Sequence, residues 1–99
     1  MILTPHKNTY AKKTGISFPL LESWNPMTRV ATIAANVDKR RVLCRISLEV
    51  LQKKFHASSD EPMQSVADNR SLLQEKAKIL IENEKFEDDG SIIIRLSDI

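Results

Sequence analysis

The chain has 99 residues, of which 41% are hydrophobic and 28% charged, and its formal net charge is +2. This composition is typical of one folded domain and excludes collagen, a coiled-coil rod and a chain disordered throughout. A single cysteine excludes an intrachain disulfide, and no apolar run approaches the roughly 20 residues of a membrane span. We therefore expect a cytoplasmic protein without a signal peptide.

Residues 1–14 are predicted to form a flexible basic arm, because they show neither helical nor strand periodicity. Residues 15–99 are predicted to form a single domain. Its first strand is Ile16–Phe18, which Pro19 ends. The segment 22–26 is predicted to be a turn, since Pro26 biases the residue before it away from the helical region.

Two further strands are predicted at 29–35 and 41–46, joined by a hairpin connection over 36–40. The second of them has the clearest alternation in the chain. Its inward residues are Val42, Cys44 and Ile46, and its outward residues are Arg41, Leu43 and Arg45.

A first helix is predicted to begin after the capping residue Ser47 and to end at His56, with Leu48, Leu51 and Phe55 on its apolar face. A second, longer helix is predicted to begin at 60–62, with acidic residues and a proline in its first turn, and to end near Asn83. Its apolar stripe comprises Met63, Val66, Arg70, Leu73, Ala77, Leu80 and Ile81.

A last strand is predicted at 91–96, after a turn at 88–90, with Ile92, Ile94 and Leu96 on one face. The order of elements is then β-β-β-α-α-β. The fold class is α+β, with a mostly antiparallel sheet and two helices packed on one face. The pattern leaves open which strand pairs with the last one.

The order and spacing of several short motifs resemble a known family. The motifs are Phe18-Pro19, Trp24, the run 42–51, Phe55, the run 69–73, Ala77, Asp89-Gly90 and Asp98. They resemble the small bacterial family known as the domain of unknown function numbered fourteen eighty-eight. The resemblance implies a compact α+β domain without an established activity, although members have carried a transcriptional-regulator label. Lys39 and Ile33 depart from the family pattern, where a turn glycine and an aromatic residue are expected.

Catalytic, cofactor and metal sites are not predicted. Cys44 lies between two apolar residues of an inward strand face, where a cysteine acts as a small hydrophobe. His6 lies in the arm and His56 at a helix end, so the chain has no ligand pair at metal-binding spacing. The acidic run at 82–89 lacks the order of a calcium loop and is interpreted as a solvated surface. We therefore expect a protein that is not an enzyme.

Charge is distributed unevenly along the chain. Residues 1–54 carry ten Lys/Arg and three Asp/Glu, whereas residues 55–99 carry five and ten. The two halves either neutralise each other within the fold or leave a basic surface that binds nucleic acid. The candidate basic patch comprises Arg29, Lys39, Arg40, Arg41, Arg45 and Arg95. The alternative function is therefore a nucleic-acid-binding regulatory domain that uses the basic hairpin around residues 39–45.

Arg70 lies within the apolar stripe of the second predicted helix, where a charge is unexpected. Its stem either lies over apolar neighbours with the guanidinium in water, or the guanidinium forms a structural contact, or it binds an anionic ligand. Asp98 and Glu49 are the candidate partners for a structural contact.

Leu72 and Ile79 lie on the far side of the same helix, with Phe86 beyond its end. We interpret these three residues as a candidate interface of a two-fold homodimer. The alternatives are cover by the first helix or by the arm, through Ile2, Leu3 or Tyr10, and plain exposure. The leading interpretation is a small non-enzymatic domain that acts by protein association, and in particular by self-association.

Overall fold

A computed structural model describes residues 15–99, so the predicted arm at 1–14 and the cover predicted from it lie outside the described residues. The strands are β1 Ile16–Ser17, β2 Glu22–Asn25, β3 Val30–Val37, β4 Arg40–Ser47 and β5 Ile92–Ile93. The helices are α1 Leu48–Phe55, α2 Pro62–Asp68 and α3 Arg70–Glu82, followed by a 3-10 helix at Leu96–Asp98. The predicted α+β class is confirmed, with one more strand and one more helix than the predicted order contains.

The sheet is built on the hairpin of β3 and β4, whose eight residues pair antiparallel from Val30↔Ser47 to Val37↔Arg40. β1 and β2 lie end to end along the other side of β3, and both are antiparallel to it. β5 pairs with β4 in parallel through Cys44↔Ile92. The sheet is therefore mostly antiparallel, as predicted, and β4 is the partner of the last strand.

The prediction of a turn at residues 22–26 is wrong, because Glu22–Asn25 form β2. All four of these residues pair with β3. The turn follows the end of β2, where the Asn25 side-chain oxygen accepts hydrogen bonds from the backbone N–H groups of Met27 and Thr28. Pairing with a neighbouring strand thus overrides the local preference of a polar, proline-flanked segment.

The helices cover one face of the sheet, and the core lies between the two layers. The inner sheet face carries alternate residues of β3 and β4, and the helices contribute one apolar face each. Fully or almost fully buried residues of this core include Ala31, Ile33, Val42, Cys44, Ile46, Leu51, Val66, Leu73, Ala77 and Ile92.

α1 begins as predicted, with the Ser47 hydroxyl accepting a hydrogen bond from the Val50 backbone N–H at 3.2 Å. It ends at His56, which adopts a left-handed conformation with φ 58°.

The single long second helix predicted from periodicity is divided at Asn69, whose φ and ψ are −118° and 24°. Its side-chain amide donates to the Ser65 carbonyl oxygen at 2.8 Å, a local bond that competes with helical geometry. In the part of the chain from Gly15 onward, none of the helices is long and apolar enough to cross a membrane.

The last strand is shorter than the predicted 91–96. Ile92 and Ile94 are buried as predicted, but Leu96 is exposed and begins the 3-10 helix. The Asp98 carboxylate accepts a hydrogen bond from the Arg95 backbone N–H at 2.8 Å, which fixes this C-terminal turn.

Candidate functional site

The face of the sheet opposite the helices has no covering layer among residues 15–99. Register places alternate residues there, because residues paired across β2, β3 and β4 project to the same side. This surface, the helix-free face, comprises Ser23, Asn25, Val30, Thr32, Ala34, Asn36, Arg41, Leu43, Arg45 and Ile93, with Leu21 beside it.

Two adjoining open grooves run across the helix-free face. The larger has a volume of about 440 Å³ and lies between the turn after β2 and Arg45. The smaller, of about 270 Å³, extends from Leu21 to Arg41. Ser23, Thr32 and Leu43 line both grooves and so make one continuous surface. Its lining combines hydroxyl groups, two arginines and aliphatic side chains.

Two leucines are the main apolar groups that this surface presents to water. Leu21 is 50% exposed and Leu43 is 40% exposed. Ala34, between them on the neighbouring strand, is buried and lines the smaller groove. Aliphatic side chains that share one groove can be removed from water together by a single partner.

Arg41 and Arg45 flank Leu43 on the same face of β4. The Arg41 Nε donates to the Asn36 side-chain oxygen at 2.8 Å, a neutral partner. Arg45 Nη1 lies 3.2 Å from an Asp89 carboxylate oxygen and 3.4 Å from the Ser91 hydroxyl. Both guanidinium groups keep further N–H donors that no bond within residues 15–99 uses.

Asp89 is held on the rim of the helix-free face by its own neighbours. The Ser91 hydroxyl and backbone N–H donate to Asp89 Oδ1 at 2.6 and 2.9 Å. These two bonds, and then the charge of Arg45, lower the pKa of the Asp89 carboxyl. Asp89 therefore carries its negative charge beside Arg45 throughout the neutral range.

The predicted basic patch is divided by the fold. Arg29 and Lys39 lie just beyond opposite ends of the eight-residue β3, an extended strand about 26 Å long. The Arg40 guanidinium lies 5.4 Å from the centre of the Phe86 ring. Arg95 lies beyond β5 and pairs with Glu87 at 3.3 Å. Of the six residues, only Arg41 and Arg45 line the two grooves. The acidic loop at 87–89 pairs with Arg45 through Asp89 and with Arg95 through Glu87.

Arg70 forms the structural contact that was one of its predicted alternatives, but with a different partner. It pairs with Glu22 of β2, Nε to Oε2 at 2.5 Å and Nη2 to Oε1 at 2.9 Å. Of the expected partners, Asp98 caps the C-terminal turn and Glu49 pairs with Lys53 on α1. Arg70 is the first residue of α3, so the break at Asn69 directs it to the sheet edge.

The two-pronged geometry ties the start of α3 to β2. The hydrogen bonds from Arg70, despite partial burial, lower the pKa of the Glu22 carboxyl. The Glu22 carboxylate therefore faces the helix layer and not the helix-free face, although its residue lines the smaller groove.

The predicted dimer interface is less continuous than the sequence indicates. Ile79 is 41% exposed on α3, whereas Leu72 is half-buried. Phe86 packs against the core and lies under Arg40, so it is not part of an open stripe. Phe86 is therefore used in internal packing, and Ile79 is the main apolar side chain that α3 exposes to solvent.

Cys44 is fully buried, and this burial raises the pKa of its thiol to about 11. His56 is exposed at the end of α1, in agreement with its predicted position. No group of three or more metal-ligating side chains occurs within the described range.

The alternation in β4 predicts that Leu43 faces outward between two arginines, and this outward pattern is the feature of the sequence that indicates the helix-free face. The sequence does not indicate the place of Ser23 on this face, because residues 22–26 are predicted to be a turn, whereas Glu22–Asn25 form β2.

Comparisons with known proteins agree with this fold. The model of a protein family of unknown function, DUF1488, matches residues 16–94 and confirms the resemblance drawn from the motifs. A crystal structure of a protein of unknown function from that family, from Shewanella loihica PV-4, is similar with a TM-score of 0.75. Its sequence identity is 23%, over 82% of this chain and 92% of that chain, so the likeness concerns the fold alone. No curated protein matches the chain.

Proposed function

We propose that this chain, which belongs to the DUF1488 family of proteins of unknown function, acts by binding another protein and not by catalysis. The helix-free face is the proposed binding surface. The observation that carries the proposal is the exposure of Leu21 and Leu43 beside two continuous grooves that no described segment covers. We place this activity in the cytoplasm, where a single reduced cysteine is ordinary.

The composition of the helix-free face supports this proposal. Protein interfaces are enriched in arginine, methionine and aromatic residues, and depleted in lysine, aspartate and glutamate. The charged side chains on this face are Arg41 and Arg45, with the Asp89 carboxylate at its rim beside Arg45, whereas Glu22 is held by Arg70. Met27, 90% exposed in the turn after β2, adds an adaptable apolar group at one end.

Other functions receive less support from the geometry. The one thiol, Cys44, is buried with a raised pKa, which disfavours nucleophilic catalysis. Nucleic-acid binding through the basic hairpin lacks its usual stacking groups, because Trp24 lies on the inner side of β2 and packs against the core. Of the predicted basic patch, Arg95 is paired with Glu87 of the 87–89 loop, and Arg29, Lys39 and Arg40 do not line the two grooves.

Site-specific photo-crosslinking in the native cell tests the proposed surface. A photoreactive phenylalanine analogue is placed at position 43, on the helix-free face. The control carries the same analogue at position 54, exposed on α1. We expect protein adducts at position 43 and none at position 54. Equal labelling at both positions, or none at 43, contradicts the proposal, and adducts with nucleic acid at 43 support the alternative function.

Self-association through α3 is a second candidate, favoured by one observation, the 41% exposure of Ile79. The analogue at position 79 tests it. An adduct of twice the 11.3 kDa mass of the chain is the expected product of a two-fold dimer through α3. A chain that sediments as a monomer at high concentration and gives no such adduct contradicts self-association and leaves the first proposal unaffected.

A further inference from the structure

Arg41, Leu43 and Arg45 form a regular pattern on the helix-free face, with a positive charge on each side of an apolar group. In an extended strand, residues four apart lie about 13 Å from each other, and the residue midway projects to the same side. The spacing is set by the backbone of β4, whose eight residues all pair with β3. The pattern is therefore presented on a rigid element.

Both arginines keep N–H donors for a partner, although Arg45 already has the Asp89 carboxylate beside it. Arg41 bonds to a neutral amide oxygen and has no carboxylate partner among residues 15–99. Arg45 shares only Nη1 with Asp89 and Ser91, at distances of 3.2 and 3.4 Å. Guanidinium groups prefer planar, two-pronged contacts with carboxylates, and both residues retain donors for them.

We infer that the partner of the helix-free face is an acidic protein segment in extended conformation, with two carboxylates four residues apart and an apolar residue midway. This inference rests on the proposed function and names the chemistry of its partner. The apolar residue packs beside Leu43 in the shared groove, and the two carboxylates bind Arg41 and Arg45. The hydroxyl groups of Ser23 and Thr32 line the same groove and can bond to the segment's backbone.

Charge distinguishes this partner from a second copy of the chain. Two copies packed through their helix-free faces would bring together four arginines and only two Asp89 carboxylates, and this excess of positive charge opposes association. Charge alone would also admit nucleic acid. The described part of the helix-free face has no aromatic side chain on which bases could stack, whereas its aliphatic lining suits an apolar side chain.

Selection from a display library of random dodecapeptides against the whole chain tests this inference. We expect enriched peptides to share an acidic, any, apolar, any, acidic pattern. The double variant Arg41→Gln, Arg45→Gln should bind them at least about tenfold more weakly, since each exposed charge pair contributes modestly. The double variant Lys54→Gln, Lys78→Gln is the matched control, because it removes two exposed positive charges outside the helix-free face and should bind like the wild type.

The possible outcomes separate this inference from the proposed function. Enriched peptides that lack acidic residues, and whose binding is lost when Leu43 is substituted, would overturn the inference of an acidic partner. They would leave the proposal of protein association unaffected. A selection that enriches no peptide over the library overturns the extended acidic segment, whereas the proposed function is decided by the crosslinking at position 43. Tight, salt-sensitive binding of a single-stranded oligonucleotide that the peptides do not displace would overturn both in favour of nucleic acid. Thermal unfolding of each variant shows that it is folded before its binding is measured.

Discussion

On the inner face of β4, Val42, Cys44 and Ile46 are each at most 2% exposed, whereas Leu43 on the opposite face is 40% exposed. The same strand thus presents one side to a packed core and the other to water. The inner side is aliphatic with one thiol, and the outer side alternates arginine and leucine. Residues with no role in the core are free to form a binding surface, and the two sides should therefore respond differently to substitution and reagents.

The largest expected contrast is in the reactivity of Cys44. At mildly alkaline pH a thiol pKa raised from 9.0 to about 11 reduces the thiolate fraction about a hundredfold, and burial also blocks the reagent. We expect labelling by a disulfide reagent to be more than a hundredfold slower in the native protein than in denaturant. Rapid labelling of native protein would mean that the inner face opens and is not the rigid core described above.

Two substitutions on β4 compare the contributions of its inner and outer faces to the free energy of unfolding. Ile46→Ala removes a buried side chain and should lower the free energy of unfolding by about 3 kcal/mol, because it leaves a cavity. Leu43→Ala, on the helix-free face, should cost less than about 1 kcal/mol. Denaturant unfolding followed by circular dichroism gives both values. Similar losses for the two variants would show that the helix-free face is covered in the folded chain.

The smallest expected effect concerns the ion pair that joins the two layers at the sheet edge. Glu22→Gln removes a carboxylate that is 15% exposed and should lower the free energy of unfolding by about 1 kcal/mol near neutral pH, about 5 °C in Tm. The folded-state pKa of Glu22 lies below its ordinary value of 4.5. Its contribution is therefore complete above that value and is lost as the pH falls through the lower folded-state pKa.

The difference in Tm between wild type and Glu22→Gln should accordingly shrink in acid. Glu49→Gln is the control, because its pair with Lys53 is exposed on α1, at 74% and 60% for the two side chains. It should lower Tm less than Glu22→Gln does, and only through the weak effect of an acidic residue in the first turn of a helix. A Tm difference for Glu22→Gln that is the same at neutral and strongly acidic pH would contradict the role of the carboxylate charge.

Strict alternation predicted β4, its inner face and the outward position of Leu43, because a period of two is a local property of the chain. Capping chemistry likewise predicted the start of α1 at Ser47. The identity of the Arg70 partner could not be predicted in the same way. Glu22 was assigned to a turn, and only pairing with β3 makes it part of a strand that faces the helices.

The division of the long helix was missed for a related reason. The spacing of the apolar stripe is the same on both sides of Asn69, whereas the break is a local departure of the Asn69 backbone angles from helical values, which periodicity does not report. The helix-free face was only partly predictable. Its arginines and Leu43 lie on β4, which the sequence predicts, whereas the other side of the grooves is formed by β2, which the sequence predicts to be a turn.

The parallel pairing of β5 has a consequence for how the protein is made. Ile92 lies beside Cys44, although nearly half of the chain separates them in sequence, and both Ile92 and Ile94 are buried in the core. While a ribosome is still adding residues before Ile92, the side of β4 that β5 will occupy stays open to water. Folding of the core therefore finishes after synthesis has passed residue 94, and a nascent chain stalled earlier would expose an apolar surface suited to chaperone binding.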